Sequence, residues 1–457
     1  MIELRKIAKP FKEINLFPVI LSEYTLKQRY KNVVDKMKQK NYDAMIIYAD
    51  LEHGSNFEYL TGFLPRFEEA LLIVFSEGQA ELVLGNENLN KASKARIDAK
   101  AIHMPVFSLP NQPMYDCKSI DLCLNTSRIK RAKRIGITGW KLFSSELKNQ
   151  EDCYDLPYFV IDAIKKVCPH AELKNSTGLF IGENGVRVTN NEEELAHYEF
   201  GAALAGRCMQ DAMDNISLGK NEMEMAEHLS ALGQKHNVVT IMSTGERFEK
   251  ANLYPGRKMI KKGDRISITT GYKGGLQSRC GYAVCGKDEL PEKEKTYVET
   301  VVIPYFQAVK TWIEQIHIGM TGGELYEVID NVFPKEIYGW NLNPGHLCAD
   351  EEWLCSPIYK DSKEIIQSGM IFQIDIIPSV AGYQGASCES GVALADEDLR
   401  NKIRKHFPEM WERVCKRKTY MKNELGICVP EEVMPMSSMT AYYRPYLLNK
   451  DMALCSR

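Results

Sequence analysis

The stretch from Gly263 to Cys285 constrains this chain more than any other. Ile266, Ile268 and Thr270 alternate with Ser267 and Thr269, the period of a strand with one face buried. Gly274-Gly275 then offers the positive φ angles of a tight hairpin turn, and Ser278, Cys280 and Tyr282 alternate on the return strand.

A repeat is the second constraint. Ile216–Glu227 matches Ile316–Glu327 at an offset of one hundred residues, with Ile216/Ile316, Gly219/Gly319, Glu224/Glu324 and Glu227/Glu327 coinciding. Each copy follows a long helical pattern, Glu192–Asn215 and Glu292–Gln315, so each reads as helix, glycine turn, second helix. Duplication accounts for this better than chance likeness between two amphipathic hairpins, and it gives the second part of the chain an internal pseudo-twofold.

Upstream, Glu23 to Lys40 has the amphipathic spacing of a helix, with Leu26, Tyr30, Val33, Val34 and Met37 on one face. Asp43–Tyr48 reads as a buried strand, and Ala70–Phe75 with Ala80–Leu84 as a hairpin around Glu77-Gly78. Ile135–Thr138 and Tyr158–Ile161 read as further strands alternating with helices, which makes this part a mixed α/β domain. The segment from Ile181 to Asn191 carries two glycines, then Asn190 or Asn191 as a helix cap before Glu192, Glu193 and Glu194. That places the boundary between domains 1–188 and 189–457. Beyond it, Arg400 to Leu425 reads as one long charged helix, and Ile427 to Arg457 as strand-like, aromatic segments with a packing or subunit-contact role.

Composition matters mainly for what it excludes. A net charge near −3 leaves no basic footprint for nucleic acid. No apolar run reaches the length of a membrane span, and Met1–Pro10 lacks the apolar core of a signal peptide. The 13 cysteines are scattered without a Cys-x-x-Cys pair, so reduced thiols in the cytoplasm are expected, not a disulfide framework or a zinc ribbon.

The Lys-Lys-Gly-Asp lead-in ending at Asp264, the strand, the Gly-Tyr-x-Gly turn at Gly271–Gly274 and the return strand resemble the pita-bread superfamily of creatinase, prolidase, aminopeptidase P and methionine aminopeptidase. Asn56–Gly62 is similar to part of the N-terminal domain of creatinase and prolidase. The resemblance implies an α/β fold, with a creatinase-like mixed α/β domain followed by a pita-bread domain with the active site between its two halves. In the metallopeptidases of that superfamily the hairpin carries two aspartates that hold a pair of divalent metals. Here Thr269 stands in the first place and Ser278 or Arg279 in the second. A hydroxyl does not replace an anionic bridging ligand, and a guanidinium repels dications.

Three further motifs resemble the family's. Asn343–Cys348 is similar to the Gly-His motif, in which the glycine lets the backbone bend so that His346 projects into the cavity. Ser368–Asp375 is similar to the Gly-Met-Val-Phe-x-x-Glu-Pro strand, with Asp375 in place of the glutamate, and Ala386–Asp396 to the last motif, with Glu389 as its glutamate. A buried carboxylate among small residues costs several kcal/mol unless it has a partner, which favours a functional Glu389. The family's upstream histidine has no counterpart; Asn252 is the nearest position, and the substrate-holding glutamate of creatinase falls at about Cys280.

The resemblance therefore implies a hydrolase of small, carboxylate-bearing molecules or short peptides that breaks a C–N bond without metal or other cofactor. His346 and Glu389 would handle protons and Asp375 would orient or assist. Arg279 would hold negative charge together with Arg66, whose place after a proline and between Phe63 and Phe67 suits a bidentate grip on a carboxylate. Asn252, Cys280 and Tyr282 complete the expected substrate contacts. One alternative is an Xaa-Pro aminopeptidase-type enzyme with a single Mn²⁺, Fe²⁺ or Zn²⁺ held by His346, Asp375 and Glu389. Another is a catalytically inactive binding homologue. A homodimer is expected, in which the N-terminal domain covers the partner's site.

Overall fold

The computed structural model describes residues 1–114, 119–143, 147–249 and 254–457. The chain divides into two compact units, one of Leu21–Val188 and one of Thr189–Arg457 together with Met1–Ile20.

In the first unit the helix Glu23–Gln39 starts at Ser22, whose hydroxyl accepts the Thr25 N–H, and it buries Leu26, Val33, Val34 and Met37. Beside it stands a six-stranded mixed sheet in the order Lys100–His103, Ala80–Leu84, Ala70–Phe75, Ala44–Ala49, Arg134–Thr138, Glu172–Asn175. The central strands are apolar at nearly every position and buried throughout, as strands covered on both faces are. The expected strand at Tyr158–Ile161 is instead the start of a helix, Tyr158–Val167, with Pro157 at its N-cap. Its buried residues Val160, Ile161, Ile164 and Val167 recur at helical spacing; a four-residue apolar run is too short to separate the two periods.

In the second unit the helix Glu192–Asn215 opens on Asn191. The Asn191 side chain accepts the Glu194 N–H while the Glu194 carboxylate accepts the Asn191 N–H, a reciprocal cap. The repeat is carried into three dimensions in matching detail. Gly219 and Gly319 both adopt positive φ, at 83° and 95°. Asn221 with Glu224, and Thr321 with Glu324, form equivalent capping boxes one turn later. Gly219 N–H donates to Ile260 O and Gly319 N–H to Ile366 O, so each turn docks on the same kind of returning segment. The copies differ at the first helix: the second begins as a π-helical turn, Val298–Val302, before the α-helix Ile303–Gln315.

Each half contributes a four-stranded sheet. The first is ordered Cys388–Glu389, Gly275–Tyr282, Arg265–Tyr272, Ile241–Thr244, and the second His346–Leu347, Ile371–Gln373, Gly391–Leu394, Val433–Pro435. The hairpin that organises the sequence turns through Lys273 and Gly274, with Gly274 at φ 100° where a Cβ would lie 2.1 Å from Tyr198 O on the neighbouring helix. Thr269 faces Ser278 and Ser267 faces Cys280 across the pair. The expectation of one buried face is too weak, since Ile266 to Tyr272 are all buried. One face is closed by helical layers, where Thr270 donates to Leu229 O and Tyr272 lies against Cys208 of the helix Glu192–Asn215. The other, lined by Ser267, Thr269, Ser278 and Cys280, looks into the interior of the unit.

Two boundaries differ from the sequence reading. The charged helix expected over 400–425 is two helices, Glu397–His406 and Pro408–Tyr420, because Pro408 has no N–H to continue the first. The first twenty residues belong with the second unit. Ile2–Lys6 pairs antiparallel with Met452–Ser456, and buried Glu13 accepts from Arg417 and from the Ser438 N–H. Arg417 also meets Glu199, which is held bidentately by Arg413 at 2.6 and 2.8 Å. Among the described residues no helix is long and apolar enough to cross a membrane.

Candidate active site

The register of the hairpin decides which side chains meet. Glu389 pairs with Ser278, which pairs with Thr269, so the three project from one face in a row across the first sheet. In the second sheet His346 pairs with Gln373, and Asp375 follows two residues later. The Ile374 N–H donates to Ser390 O at 3.0 Å and ties the Asp375 strand to the segment that carries Glu389. Gly345 holds φ 130°, and a Cβ there would lie 3.0 Å from Gln373 O and 3.3 Å from Trp312 Nε1. Only glycine delivers His346 to this position without displacing that wall.

His346, Asp375 and Glu389 are all buried and converge, each offering one ligand atom within 4.8 Å of the others. His346 Nε2 stands 3.9 Å from a carboxylate oxygen of each acid. Its Nδ1 lies 3.1 Å from Leu347 O. A carbonyl only accepts, so Nδ1 carries the proton and Nε2 turns its lone pair toward the two acids. Burial pulls the His346 pKa down to about 4, which leaves the ring neutral near pH 7. Asp375 is raised to about 7, first by burial and then by the charge of Glu352. Glu389 is raised well above the usual carboxylate range by burial, then by Asp375 and Glu352, against a smaller lowering by Arg279. Neither carboxylate accepts a hydrogen bond from another described residue. His346 Nε2 thus presents its lone pair to two buried acids that retain protons when nothing else neutralises them, and a single divalent cation in place of those protons would satisfy all three groups.

Among the described residues, the second ion of a bridged pair is not provided for. The register places Ser278, not Arg279, opposite Thr269, and the two hydroxyls hydrogen-bond each other at 2.9 Å. Arg279 points to the far face of the sheet and is fully buried there. Its guanidinium donates to the carbonyls of Tyr442, Ser278, Glu389 and Met439, to Gln277 Oε1 and to Ser390 Oγ. The expectation that Arg279 grips substrate is corrected: strand alternation turns it away from the pocket and its donors are saturated.

The other expected contacts divide. Cys280 shares the pocket face, 3.6 Å from Ser267 Oγ, and burial pushes its thiol up to about 11, so it is an inert wall. Tyr282 is a core residue whose hydroxyl accepts the Gln384 N–H at 2.8 Å and whose ring meets Tyr297 edge-on; its expected substrate contact is withdrawn. Asn252 lies outside the described residues. Arg66 belongs to the first unit, in an exposed loop, with its guanidinium 4.5 Å from the Phe67 ring centroid.

Sequence reasoning missed one neighbour of His346 and one of the two acids. Trp353 stacks on its imidazole with centroids 4.1 Å apart, and Glu352, half-buried, places its charge close enough to raise both acids. The signal was the Glu351-Glu352-Trp353 run shortly after the Gly-His pair, an acidic and aromatic cluster in an otherwise small-residue loop.

Two halves, each with a paired helix and a four-stranded sheet, enclosing a His–Asp–Glu cluster between them, define the class of protein. Residues 196–397 match the model of metallopeptidase family M24, and residues 29–181 that of the creatinase/prolidase N-terminal domain. The chain belongs to the pita-bread superfamily. A Xaa-Pro dipeptidase of Pyrococcus horikoshii is 26% identical over 243 residues, an alignment that covers 50% of this chain and 66% of that protein. Among solved structures, the prolidase of P. horikoshii matches with a TM-score of 0.62 at 20% identity, over 80% of this chain and 95% of the other. The recombinant prolidase of Thermococcus sibiricus matches with a TM-score of 0.64 at 18% identity, over 81% and 95%.

Proposed function

We propose that this protein is a hydrolase that cleaves an amide-type C–N bond in a short peptide or a small molecule of similar size, using one divalent ion held by His346, Asp375 and Glu389. One observation carries the reading: the neutral His346 Nε2 and two buried carboxylates, without hydrogen-bond donors of their own, face one another within ligand distance of a common point. The match to a metallopeptidase family and the likeness to Xaa-Pro dipeptidases support peptide hydrolysis, and Xaa-Pro dipeptides are the first substrates to try.

His346 acts as a ligand, not as a proton shuttle, because its Nδ1–H is committed to Leu347 O and its Nε2 stays unprotonated at neutral pH. Asp375 holds its place opposite. Glu389, whose strand sets it in a row with Ser278 and Thr269, would take up the proton of the attacking water on a carboxylate oxygen and return it to the leaving nitrogen. An ion held by His346, Asp375 and Glu389 would supply Lewis acidity toward the scissile carbonyl. Mn²⁺, Fe²⁺ and Zn²⁺ all suit a site of two carboxylates and an imidazole. The reading includes a reducing compartment, in keeping with the free thiols of the described cysteines, and a homodimer, which light scattering would test.

Metal analysis of purified protein, paired with turnover of an Xaa-Pro dipeptide panel, tests the proposal. It expects about one ion per chain, with ion and turnover both lost in Glu389→Gln. Two ions per chain, or full activity after complete ion removal, would refute it; the latter would restore the metal-independent mechanism.

A further inference from the structure

The return strand of the hairpin opens to the interior of the unit at two positions. Of the eight residues Gly275–Tyr282, only Ser278 and Cys280 are not fully buried, and both lie on the face that carries Thr269 and Ser267. Cys280 is engaged with Ser267 Oγ at 3.6 Å. Ser278 is the polar group that the opening presents to whatever enters.

Its surroundings hold it in place. The backbone is paired on both sides, with Thr269 on one strand and Glu389 on the other. Residues directly opposite in such a pair have Cβ atoms about 5 Å apart, so Ser278 stands beside Glu389 and the groups that converge on it. The Ser278 carbonyl accepts from Arg279 Nη1 at 2.7 Å and from Ser387 Oγ at 3.1 Å, which fixes the strand. On the pocket face Thr269 Oγ1 donates to Ser278 Oγ at 2.9 Å. Among the described residues Ser278 Oγ has no other hydrogen-bond partner, so its own hydrogen is left for a guest. A hydroxyl that accepts one hydrogen bond also donates a stronger one.

Charge decides which guest that is. When water adds to an amide carbonyl, the new O–C bond forms as the C=O π pair moves onto oxygen, and that oxygen becomes negative. Asp375 and Glu389, buried beside each other, repel such a charge when ionised. His346 has no proton to offer, because its N–H is committed to Leu347 O, and Arg279 donates to carbonyls on the far face. A hydroxyl donor set in advance is what the strand pair itself supplies there.

We propose that Ser278 is a catalytic residue whose hydroxyl donates a hydrogen bond to the oxygen of the scissile carbonyl as that oxygen becomes anionic, with Thr269 as the positioning residue that turns the hydroxyl toward it. Ser278 keeps its proton throughout. The proton of the water passes to Glu389 and then to the leaving nitrogen as the C–N bond breaks. The assignment rests on the hydrolase reading above and adds a group to the same site. It gives the hydroxyls that replace the hairpin's carboxylates a task of their own.

The test is calorimetric titration of the ion-loaded protein with two uncleavable isosteres of Ala-Pro. The phosphinic isostere is tetrahedral and anionic at the reacting centre, and the ketomethylene isostere is planar and neutral. The wild-type protein is expected to bind the phosphinic compound at least about 100-fold more tightly. Ser278→Ala is expected to lower that ratio about tenfold with the ion content unchanged, and Ser278→Thr, which keeps the hydroxyl, to restore most of it. Thr269→Val is expected to lower it about threefold. On Ala-Pro itself, Ser278→Ala should cut kcat by about tenfold while KM moves less than about threefold. A residue that merely supported the strand would weaken both isosteres alike. No phosphinic preference in the wild-type protein, a ratio unchanged by Ser278→Ala, or an equal loss in Ser278→Thr would overturn the proposal, while wild-type turnover would keep the hydrolase reading. A ratio that falls in Ser278→Ala, in a protein that turns over no dipeptide, would sink the hydrolase reading and leave the Ser278 contact standing.

Discussion

Arg279 gives the sharpest test of how this site is built, because its sequence position and its three-dimensional position imply opposite phenotypes. Replacing it with methionine keeps much of the side-chain volume and removes every donor. The carbonyls of Ser278, Glu389, Met439 and Tyr442 each lose a bond from a charged donor. At about 1 kcal/mol per bond, set below the usual range for charged donors because relief of the buried charge offsets part of the loss, the change costs about 4 kcal/mol. For a unit of this size that is a fall in Tm of roughly 8–12 °C. The assay is thermal unfolding of Arg279→Met beside the wild type, with substrate KM measured well below either transition. The argument expects a large loss of stability with KM changed less than threefold. A Tm within about 2 °C of wild type together with a large rise in KM would refute it and return Arg279 to the substrate.

Four further outcomes follow from the same geometry. Asp375→Asn should abolish ion binding measured by titration with Mn²⁺ or Zn²⁺, because it removes one of only three ligands. In chelator-treated protein, stability should fall as pH rises above about 6.5: the folded-state pKa of Asp375, raised by burial to about 7, means that the native state holds a proton the unfolded chain has already released. Glu389, raised well above the carboxylate range, adds to this decline, while between about pH 4 and 6.5 His346, lowered by burial to about 4, offsets part of it, so the decline is cleanest above pH 6.5; unfolding scans at pH 6.5 and 8 measure it, and added divalent ion should remove it. The double change Thr269→Asp with Ser278→Asp puts carboxylates at two directly paired positions beside Glu389, and the ion count by mass spectrometry should rise from one toward two. Gly345→Ala should lower ion affinity at least tenfold and Tm by several degrees, since φ 130° is closed to alanine and the backbone that aims His346 must move.

How much of this was readable in one dimension follows from how local each determinant is. The capping residues Asn191, Asn221 and Thr321 act within one helical turn, and the glycines at 219 and 319 within one loop, so the repeat at an offset of one hundred residues could be seen directly. His346, Asp375 and Glu389 were legible through the motifs around them, and the hairpin carried its own period and turn. The helix at Tyr158–Val167 was misread because four apolar residues fit either period, and the break at Pro408 was overlooked inside a strongly charged pattern. The membership of Met1–Ile20 depends on a pairing with Met452–Ser456 at the other end of the chain, which no local pattern announces.

The sequence by itself determined that the chain forms a duplicated α/β scaffold and that its hairpin lacks carboxylates, because helix caps, glycine turns and side-chain chemistry are properties of neighbouring residues. Only the tertiary structure decided what those residues do. Successive strand side chains point to opposite faces, so a shift of one position separates Ser278, beside Glu389 in the pocket, from Arg279, buried behind it. Which face becomes the pocket depends on which layers cover the other. Trp353 likewise meets His346 only because distant groups, Tyr198, Lys273 and Gly274, brace the loop that carries it.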